Sequence, residues 1–214
     1  MTIEELYKHL LTKYGKQNWW PLTGHFEPFE EVSIGAILTQ NTSWKNVEKA
    51  LYNLIKNKIT SLEKILEIED KKLAKVIKPA GFYNQKTKTL KNFAKAVVNK
   101  DKNNITRNFL LSIKGIGKET ADTILLYGLN KPIFVIDAYT KRLFARIGII
   151  ESEKIEYDKL RNFIESNIEK DINLYKEFHA LIVKHCKDFC KKKPDCDKCF
   201  LNLKCYNFNQ NNFR

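Results

Sequence analysis

The spacing of apolar residues constrains the fold of this 214-residue chain more than any other feature. Apolar side chains recur every three or four positions, the repeat of a helix with one buried face. The stretches with this repeat are Ile3–Tyr14, Phe29–Thr39, Val47–Ile55, Leu62–Ile77, Thr87–Val98, Ala121–Leu129, Ala138–Ile147, Tyr157–Ile168 and Leu174–Phe189. The short apolar run Ile133–Ile136 lies between Pro132 and Asp137, and we interpret it as a linker. The sequence therefore predicts an all-α protein, with a frayed, Asn-rich tail over Tyr206–Arg214.

The charge balance points to a polyanionic partner. Lys and Arg number 38 against 25 for Asp and Glu, a formal net charge of +13. Such an excess attracts nucleic acid. An anionic membrane would require a basic amphipathic helix or a lipid anchor, and neither is evident in the sequence. The N-terminus begins with acidic residues and lacks the pattern of a secretory signal. We expect a monomeric, cytoplasmic protein, associated with the nucleoid and not with a membrane.

The five cysteines all fall within residues 186–205, which indicates a metal site and not a disulfide framework. Four of them have the spacing Cys190-x5-Cys196-x2-Cys199-x5-Cys205. Four thiolates at such spacing can surround one tetrahedral metal ion or one iron–sulfur cubane. A structural zinc ion and a [4Fe–4S] cluster are both open on this pattern, and Cys186 is the spare cysteine.

A glycine-rich turn joins two helical segments near the middle of the chain. An apolar helical turn from Phe109 leads into Gly115-Ile116-Gly117, and a second helix begins directly after it. The free N–H groups and the dipole of that helix favour an anion on the turn, and Lys114 and Lys118 add positive charge. A plain corner between helices is the alternative. We predict a DNA-phosphate contact formed by Lys114, Gly115, Ile116, Gly117 and Lys118, which would read no base sequence.

Four segments together carry a family resemblance. The run Ile113–Ala121 with Val135-Ile136-Asp137, the segment Gly35–Thr42, the turn Gly81–Lys86 and the cysteine tail resemble the helix-hairpin-helix DNA glycosylases of the endonuclease III superfamily. The resemblance implies two helical lobes. Residues 22–132 would form a six-helix barrel with the DNA-binding hairpin. Residues 1–21 and 133–214 would form the second lobe, with the cysteine loop.

The resemblance also favours the [4Fe–4S] cluster over zinc, on Cys190, Cys196, Cys199 and Cys205. The relatives have six residues in the first gap of this loop, whereas this chain has five. Cys186 would leave nine residues in that gap, which is too long for the usual arrangement. We therefore expect Cys190 as the first ligand.

Asp137 is the candidate catalytic residue. Cleavage of an N-glycosidic bond builds positive charge on the deoxyribose, which a carboxylate stabilises, and a carboxylate can also orient the attacking water. Asp137 opens a predicted helix, so it could also act only as an N-cap, but the resemblance identifies it with the family's catalytic aspartate. Bifunctional members place a lysine where this chain has Glu119, and a carboxylate cannot form their Schiff base. Lys118 points to another face of the helix. A monofunctional glycosylase is expected.

The tryptophans suggest the substrate. A flipped base is held between flat side chains, and Trp20-Pro21, Gln40 and Trp44 are similar to the base pocket of the 3-methyladenine DNA glycosylases of this superfamily, in which two aromatic rings sandwich the base. N-alkylated purines are cationic, and indole faces bind cations. The resemblance thus implies a repair enzyme that removes alkylated purines from damaged double-stranded DNA, with 3-methyladenine as the main substrate and 7-methylguanine as a second candidate. The alternatives are a glycosylase for uracil, mismatched thymine or an oxidised pyrimidine, and a non-catalytic protein that binds damaged DNA.

Overall fold

A computed structural model describes the backbone of residues 1–212 and the side chains of residues 1–209. This part of the chain is helical and contains no β-strand, so the all-α prediction is confirmed. The α-helices are α1 (Ile3–Tyr14), α2 (Pro28–Thr39), α3 (Trp44–Lys56), α4 (Leu62–Glu67), α5 (Asp70–Val76), α6 (Tyr83–Val97), α7 (Arg107–Ser112), α8 (Lys118–Thr123), α9 (Ala138–Ile147), α10 (Tyr157–Glu165), α11 (Ile172–Asp188) and α12 (Tyr206–Asn212).

The chain forms two compact units, which we call unit 1 and unit 2. Unit 1 combines Met1–Trp19 with Pro132–Arg214, and unit 2 is Trp20–Lys131. None of the helices in the described part of the chain has both the length and the apolar character that a membrane span needs.

Unit 2 is built around α2, which is buried over nearly its whole length. The C-terminal end of α2 is fixed by Lys86 of α6, whose buried Nζ donates hydrogen bonds of 2.8 Å to the carbonyls of Leu38 and Ala80. Carbonyls at a helix end need such partners when they are buried. This contact positions the segment after α2, which leads to Gln40 and Trp44.

The predicted continuous helix over Leu62–Ile77 is wrong, because the chain breaks it into α4 and α5. Ile68 and Glu69 adopt extended backbone angles between the two helices. Lys91 of α6 donates hydrogen bonds to the carbonyls of Leu66 and Ile68, so the end of α4 is capped from outside the helix. Residues 20–131 therefore contain seven α-helices, whereas the resemblance implied a six-helix barrel over residues 22–132.

Unit 1 packs α1 and α9 against the long helix α11. Its core includes Leu6 and Leu10 of α1, Phe144 of α9 and Phe178 of α11, all fully buried. The segment before α9 has no regular secondary structure, which agrees with the predicted linker over Ile133–Ile136. The predicted fraying of the tail is wrong for Tyr206–Asn212, which form α12 and pack against α9. Residues 213 and 214 lie outside the described part.

Candidate active site

The glycine turn connects α7 and α8 in unit 2. Gly115 has a φ of +101°, which favours glycine, and a Cβ at this position would lie 2.3 Å from Oγ1 of Thr89. Gly117 is the N-cap of α8, and a Cβ there would meet no atom within 4 Å. The Ile116 side chain is buried, whereas Lys114 is exposed and Lys118 is half-buried. The turn therefore presents backbone and lysine side chains outward.

Two side-chain amides hold this turn from neighbouring segments. Gln40 Nε2, just after α2, donates to the Gly115 carbonyl at 3.1 Å and to Thr120 Oγ1 at 3.0 Å. Asn92 Nδ2, on α6, donates to the Lys114 carbonyl at 3.2 Å. Gln40 was predicted as a base-pocket residue, and in this structure its amide is engaged with the hairpin. The fold thus brings the predicted pocket and the predicted DNA contact together through one glutamine.

Trp20 and Trp44 meet directly over α2. Their ring centroids are 5.0 Å apart with an interplanar angle of 89°, an edge-to-face contact. A base sandwich would require separated, parallel rings, so the predicted sandwich geometry is absent from this structure, although the two tryptophans do come together. A Cβ at Gly35 would lie 3.1 Å from Trp20, closer than an ordinary contact, and 3.5 Å from Trp44, so the glycine gives the Trp20 ring room against the helix. Pro21 is exposed.

Tyr127 completes the aromatic cluster, and sequence reasoning missed it. Its ring centroid lies 5.4 Å from that of Trp20. Tyr127 follows α8 in a wider π-helical turn, Ile124–Gly128. Nothing in the sequence indicated this role, because a tyrosine in an apolar run, between Leu126 and Gly128, has the pattern of an ordinary core position.

Asp137 lies in unit 1 as the N-cap of α9. Its Oδ1 accepts hydrogen bonds from the backbone N of Thr140 at 2.7 Å and from Thr140 Oγ1 at 2.8 Å. Its Oδ2 lies 3.7 Å from Nε2 of His179 on α11, and both side chains are almost buried. Burial acts to raise the pKa of Asp137, but the interactions with His179 and Thr140 outweigh it and lower the pKa. The carboxylate is thus held ionised at a fixed place.

His179 is the residue near the candidate catalytic group that the sequence analysis did not single out. It is only 6% exposed, and its ring stacks on Trp19 at a centroid distance of 5.8 Å and an angle of 36°. The available signal was a titratable residue inside the apolar run Phe178–Val183 of a predicted helix. Its partner Asp137 is distant in sequence, so only the fold reveals the pair.

Glu119 is exposed on the first turn of α8, next to the half-buried Lys118. The position that holds the attacking lysine in bifunctional relatives therefore carries a carboxylate on an accessible surface of unit 2. Lys118 is adjacent along the helix and projects in a different direction, since consecutive residues are about 100° apart.

The cysteines line one cavity of unit 1. It is small and partly open to solvent, and its cysteine walls are Cys190, Cys196, Cys199 and Cys205. The other walls are mixed: apolar residues such as Leu143 and Phe189 alternate with polar ones such as Arg146 and Asp195. Cys186 is not part of the lining, and its Sγ contacts the carbonyl of Tyr139 at 3.6 Å. Four thiols facing one cavity supply the type and number of ligands that a thiolate-bound cluster needs. Among the described residues, no three or more His, Cys, Asp or Glu side chains are arranged as metal ligands.

Comparison with known proteins identifies the family. The model for HhH-GPD superfamily base excision DNA repair proteins matches residues 34–170, which include the hairpin and Asp137. The chain belongs to this superfamily. The HhH-GPD match ends before the cysteine loop. The sequence pattern and the cavity are therefore the only observations that favour a bound metal or cluster in that loop.

Three individual proteins illustrate the similarity of this HhH-GPD protein to others. A Methanocaldococcus jannaschii protein, provisionally named a DNA repair glycosylase, is 52% identical over 208 residues, with 92% of each chain covered. Endonuclease III of Sulfolobus acidocaldarius is 29% identical, covering 80% of this chain and 79% of its own. The structure of H. pylori 3-methyladenine DNA glycosylase MagIII bound to 1,N6-ethenoadenine has a TM-score of 0.76 and 35% identity, over 87% of this chain and 98% of its own.

Proposed function

We propose that this HhH-GPD protein is a monofunctional DNA glycosylase that removes alkylated purines, 3-methyladenine above all, from double-stranded DNA. The observation that carries the proposal is the cluster of Trp20, Trp44 and Tyr127 rings against α2. Similarity to a 3-methyladenine DNA glycosylase that binds a modified adenine supports it. Intracellular DNA with damaged bases would be the partner, and a single chain would suffice.

The proposed chemistry needs few groups. An N3- or N7-alkylated purine is cationic, so aromatic faces bind it by cation–π attraction, worth about 2 kcal/mol or more when water is excluded. A cationic base is also a good leaving group, so no general acid is required. Asp137 would stabilise the positive charge that develops on the sugar and orient the attacking water. The edge-to-face contact of Trp20 and Trp44 would open to admit the base.

Release of free base from methylated DNA, followed by chromatography, tests the substrate. We expect wild-type protein to release 3-methyladenine, and Trp44→Ala to reduce excision about tenfold or more, since a lost stacking contact costs about 1–3 kcal/mol. Tyr52→Ala is the matched control, because Tyr52 is an exposed aromatic residue on the same helix, α3. Its excision rate should equal that of wild type.

Two results would contradict this assignment. Release of uracil or thymine without release of alkylated purines would place the chain with a different glycosylase specificity. Tight binding of damaged DNA with no base release would instead favour the non-catalytic DNA-binding protein.

Borohydride trapping tests the monofunctional mechanism. A Schiff base needs an amine at the sugar, and the family's amine position is Glu119 here. We expect no covalent protein–DNA complex in borohydride, and abasic DNA that stays intact until alkali is added. A trapped complex that disappears in Lys118→Ala would show that Lys118 reaches the sugar and would refute the monofunctional proposal.

We also propose that Cys190, Cys196, Cys199 and Cys205 hold a [4Fe–4S] cluster, with a four-cysteine zinc site as the competing possibility. Support comes from their spacing and from their shared cavity in unit 1. The bound group would supply structural cross-linking of this loop, not a step of base excision. Arg146 Nη1 donates to the carbonyl of Lys191 and lies 3.4 Å from Cys190 Sγ, so it would help to position the first ligand.

A further inference from the structure

The two oxygens of Asp137 have different surroundings. Oδ1 is occupied by the two hydrogen bonds from Thr140 that cap α9. Oδ2 takes no part in that cap and is the oxygen that faces His179 Nε2, at 3.7 Å. A carboxylate that stabilises charge or orients water needs one oxygen available for that task. If Asp137 carries the chemistry as proposed, Oδ2 would therefore be its reacting oxygen, and His179 is the side chain beside it.

The surroundings of His179 fix its ring. The side chain is 6% exposed, and Trp19 covers it in a tilted stack. The segment that carries Trp19 is itself held on α11, because Glu177 accepts hydrogen bonds from the backbone N–H groups of Gln17 and Asn18. One turn of α11 thus supplies both the imidazole beside Asp137 and the anchor for the indole that shields it from water.

We propose that His179 is a positioning residue that donates its Nε2 proton to Oδ2 of Asp137 and aims this oxygen at the sugar. This inference rests on the proposed function, in which Asp137 carries the chemistry. The present separation of 3.7 Å is longer than a hydrogen bond, and on this proposal it shortens to one in the substrate complex, as catalytic contacts often do. The low exposure makes such a bond stronger than it would be in water.

Three substitutions of His179 distinguish the effect of its hydrogen-bond donor from the effect of its side-chain shape. The amide of Gln takes the place of Nε2, the amide of Asn takes the place of Nδ1, and Phe keeps a stacking ring without a donor. We expect His179→Gln to excise methylated purines within about threefold of wild type in single turnovers. We expect His179→Asn and His179→Phe to be slowed about tenfold or more, the range for loss of one oriented polar contact.

The readout must distinguish positioning from folding. We expect the Gln and Asn variants to have nearly the same melting temperature and nearly the same affinity for undamaged DNA as each other, because both fill the site with a polar amide. Equal rates in the Gln and Asn variants, whether fast or slow, would overturn the inference. Should Asp137→Asn keep full activity, the chemistry assigned to Asp137 fails, whereas a dead Asp137→Asn beside a fully active His179→Phe refutes only the role of His179.

A measurement without activity tests the same contact. The chain has four histidines, so the ¹⁵N spectrum of its imidazoles is simple, and the His179 signals are those missing in His179→Gln. We expect Nε2 to carry a proton, and we expect the resonance of this nitrogen to shift in Asp137→Asn. A ring protonated on Nδ1 alone, with Nε2 unaffected by Asp137→Asn, would overturn the proposal whatever the substrate is.

Discussion

At the scale of single residues, Asp137 combines a structural and a proposed chemical role. Its N-cap bonds to Thr140 hold one oxygen, and the pair with His179 holds the other. The pKa of the folded carboxyl is lowered, so the interaction contributes stability above the unfolded pKa, and this contribution is lost as pH falls through the folded value. The same contacts that stabilise the helix start therefore keep the carboxylate charged.

Asp137→Asn separates these two roles. Asn is as good an N-cap as Asp, so we expect the protein to stay folded and to lose only the stability that the charged carboxylate adds through His179. Removal of the charge should slow base excision about 100-fold or more, while DNA binding persists through phosphate contacts. Single-turnover excision and thermal melting check both expectations. Activity within a few-fold of wild type would mean that another group carries the chemistry.

At the scale of elements, the hairpin between α7 and α8 is shaped by its neighbours as much as by its glycines. Position 115 requires glycine for two reasons. Its φ is positive, and Thr89 of α6 occupies the space that a side chain would need. The side-chain amides of Gln40 and Asn92 donate hydrogen bonds to the backbone carbonyls of Gly115 and Lys114, respectively. The helical framework thus fixes the turn on its inner side, and its outer side is open at Gly117.

Substitutions at the two glycines should separate stability from DNA binding. Gly115→Ala should destabilise unit 2 by about 1–3 kcal/mol, since it adds both backbone strain and a clash with Thr89. Gly117→Val should lower the melting temperature less than Gly115→Ala, since it loses only the N-cap preference for glycine, and it should weaken binding to all DNA about tenfold, because its side chain would fill the proposed phosphate position. Thermal melting and binding to undamaged duplexes measure these effects. Normal binding by a folded Gly117→Val would exclude a phosphate at this turn.

At the scale of the whole molecule, the two ends of the chain combine into unit 1, and the middle forms unit 2. Closing a loop between distant chain segments has an entropic cost that tertiary contacts must offset. In unit 1 those contacts are the packing of α1 and α9 on α11, and the cysteine loop follows α11 directly. A cluster on that loop would add covalent links where the described segment has little regular structure.

Metal analysis of cysteine variants tests this proposal. We expect brown protein with about four iron and four sulfide per chain, and we expect Cys190→Ser to lose iron and to melt at lower temperature. Cys186→Ala is the matched control, because Cys186 is a buried cysteine that interacts with the Cys190 side chain but does not line the cavity. It should keep its iron. A colourless protein with one zinc per chain would replace the cluster by a zinc site and leave the proposed enzyme activity untouched.

The sequence alone determined that the fold is helical and where most helices lie, because an amphipathic helix is recognisable from local periodicity. α1 and α9 fall where the apolar repeat predicts them. The candidate Asp137 and the four-cysteine spacing were also readable, since each is a local pattern attached to a known family. The break after α4 was not readable, because it depends on Lys91, a residue on another helix.

The contacts between distant residues were decided by the tertiary structure. No local pattern pairs His179 with Asp137, and none predicts that Gln40 would be engaged with the hairpin or that Trp20 and Trp44 would meet edge to face. Residue type sets what a side chain can do, and packing then sets what it touches. The sequence therefore determined the helical class, the family and the candidate groups, whereas their mutual geometry depended on how α2, α6 and α11 pack against their neighbours.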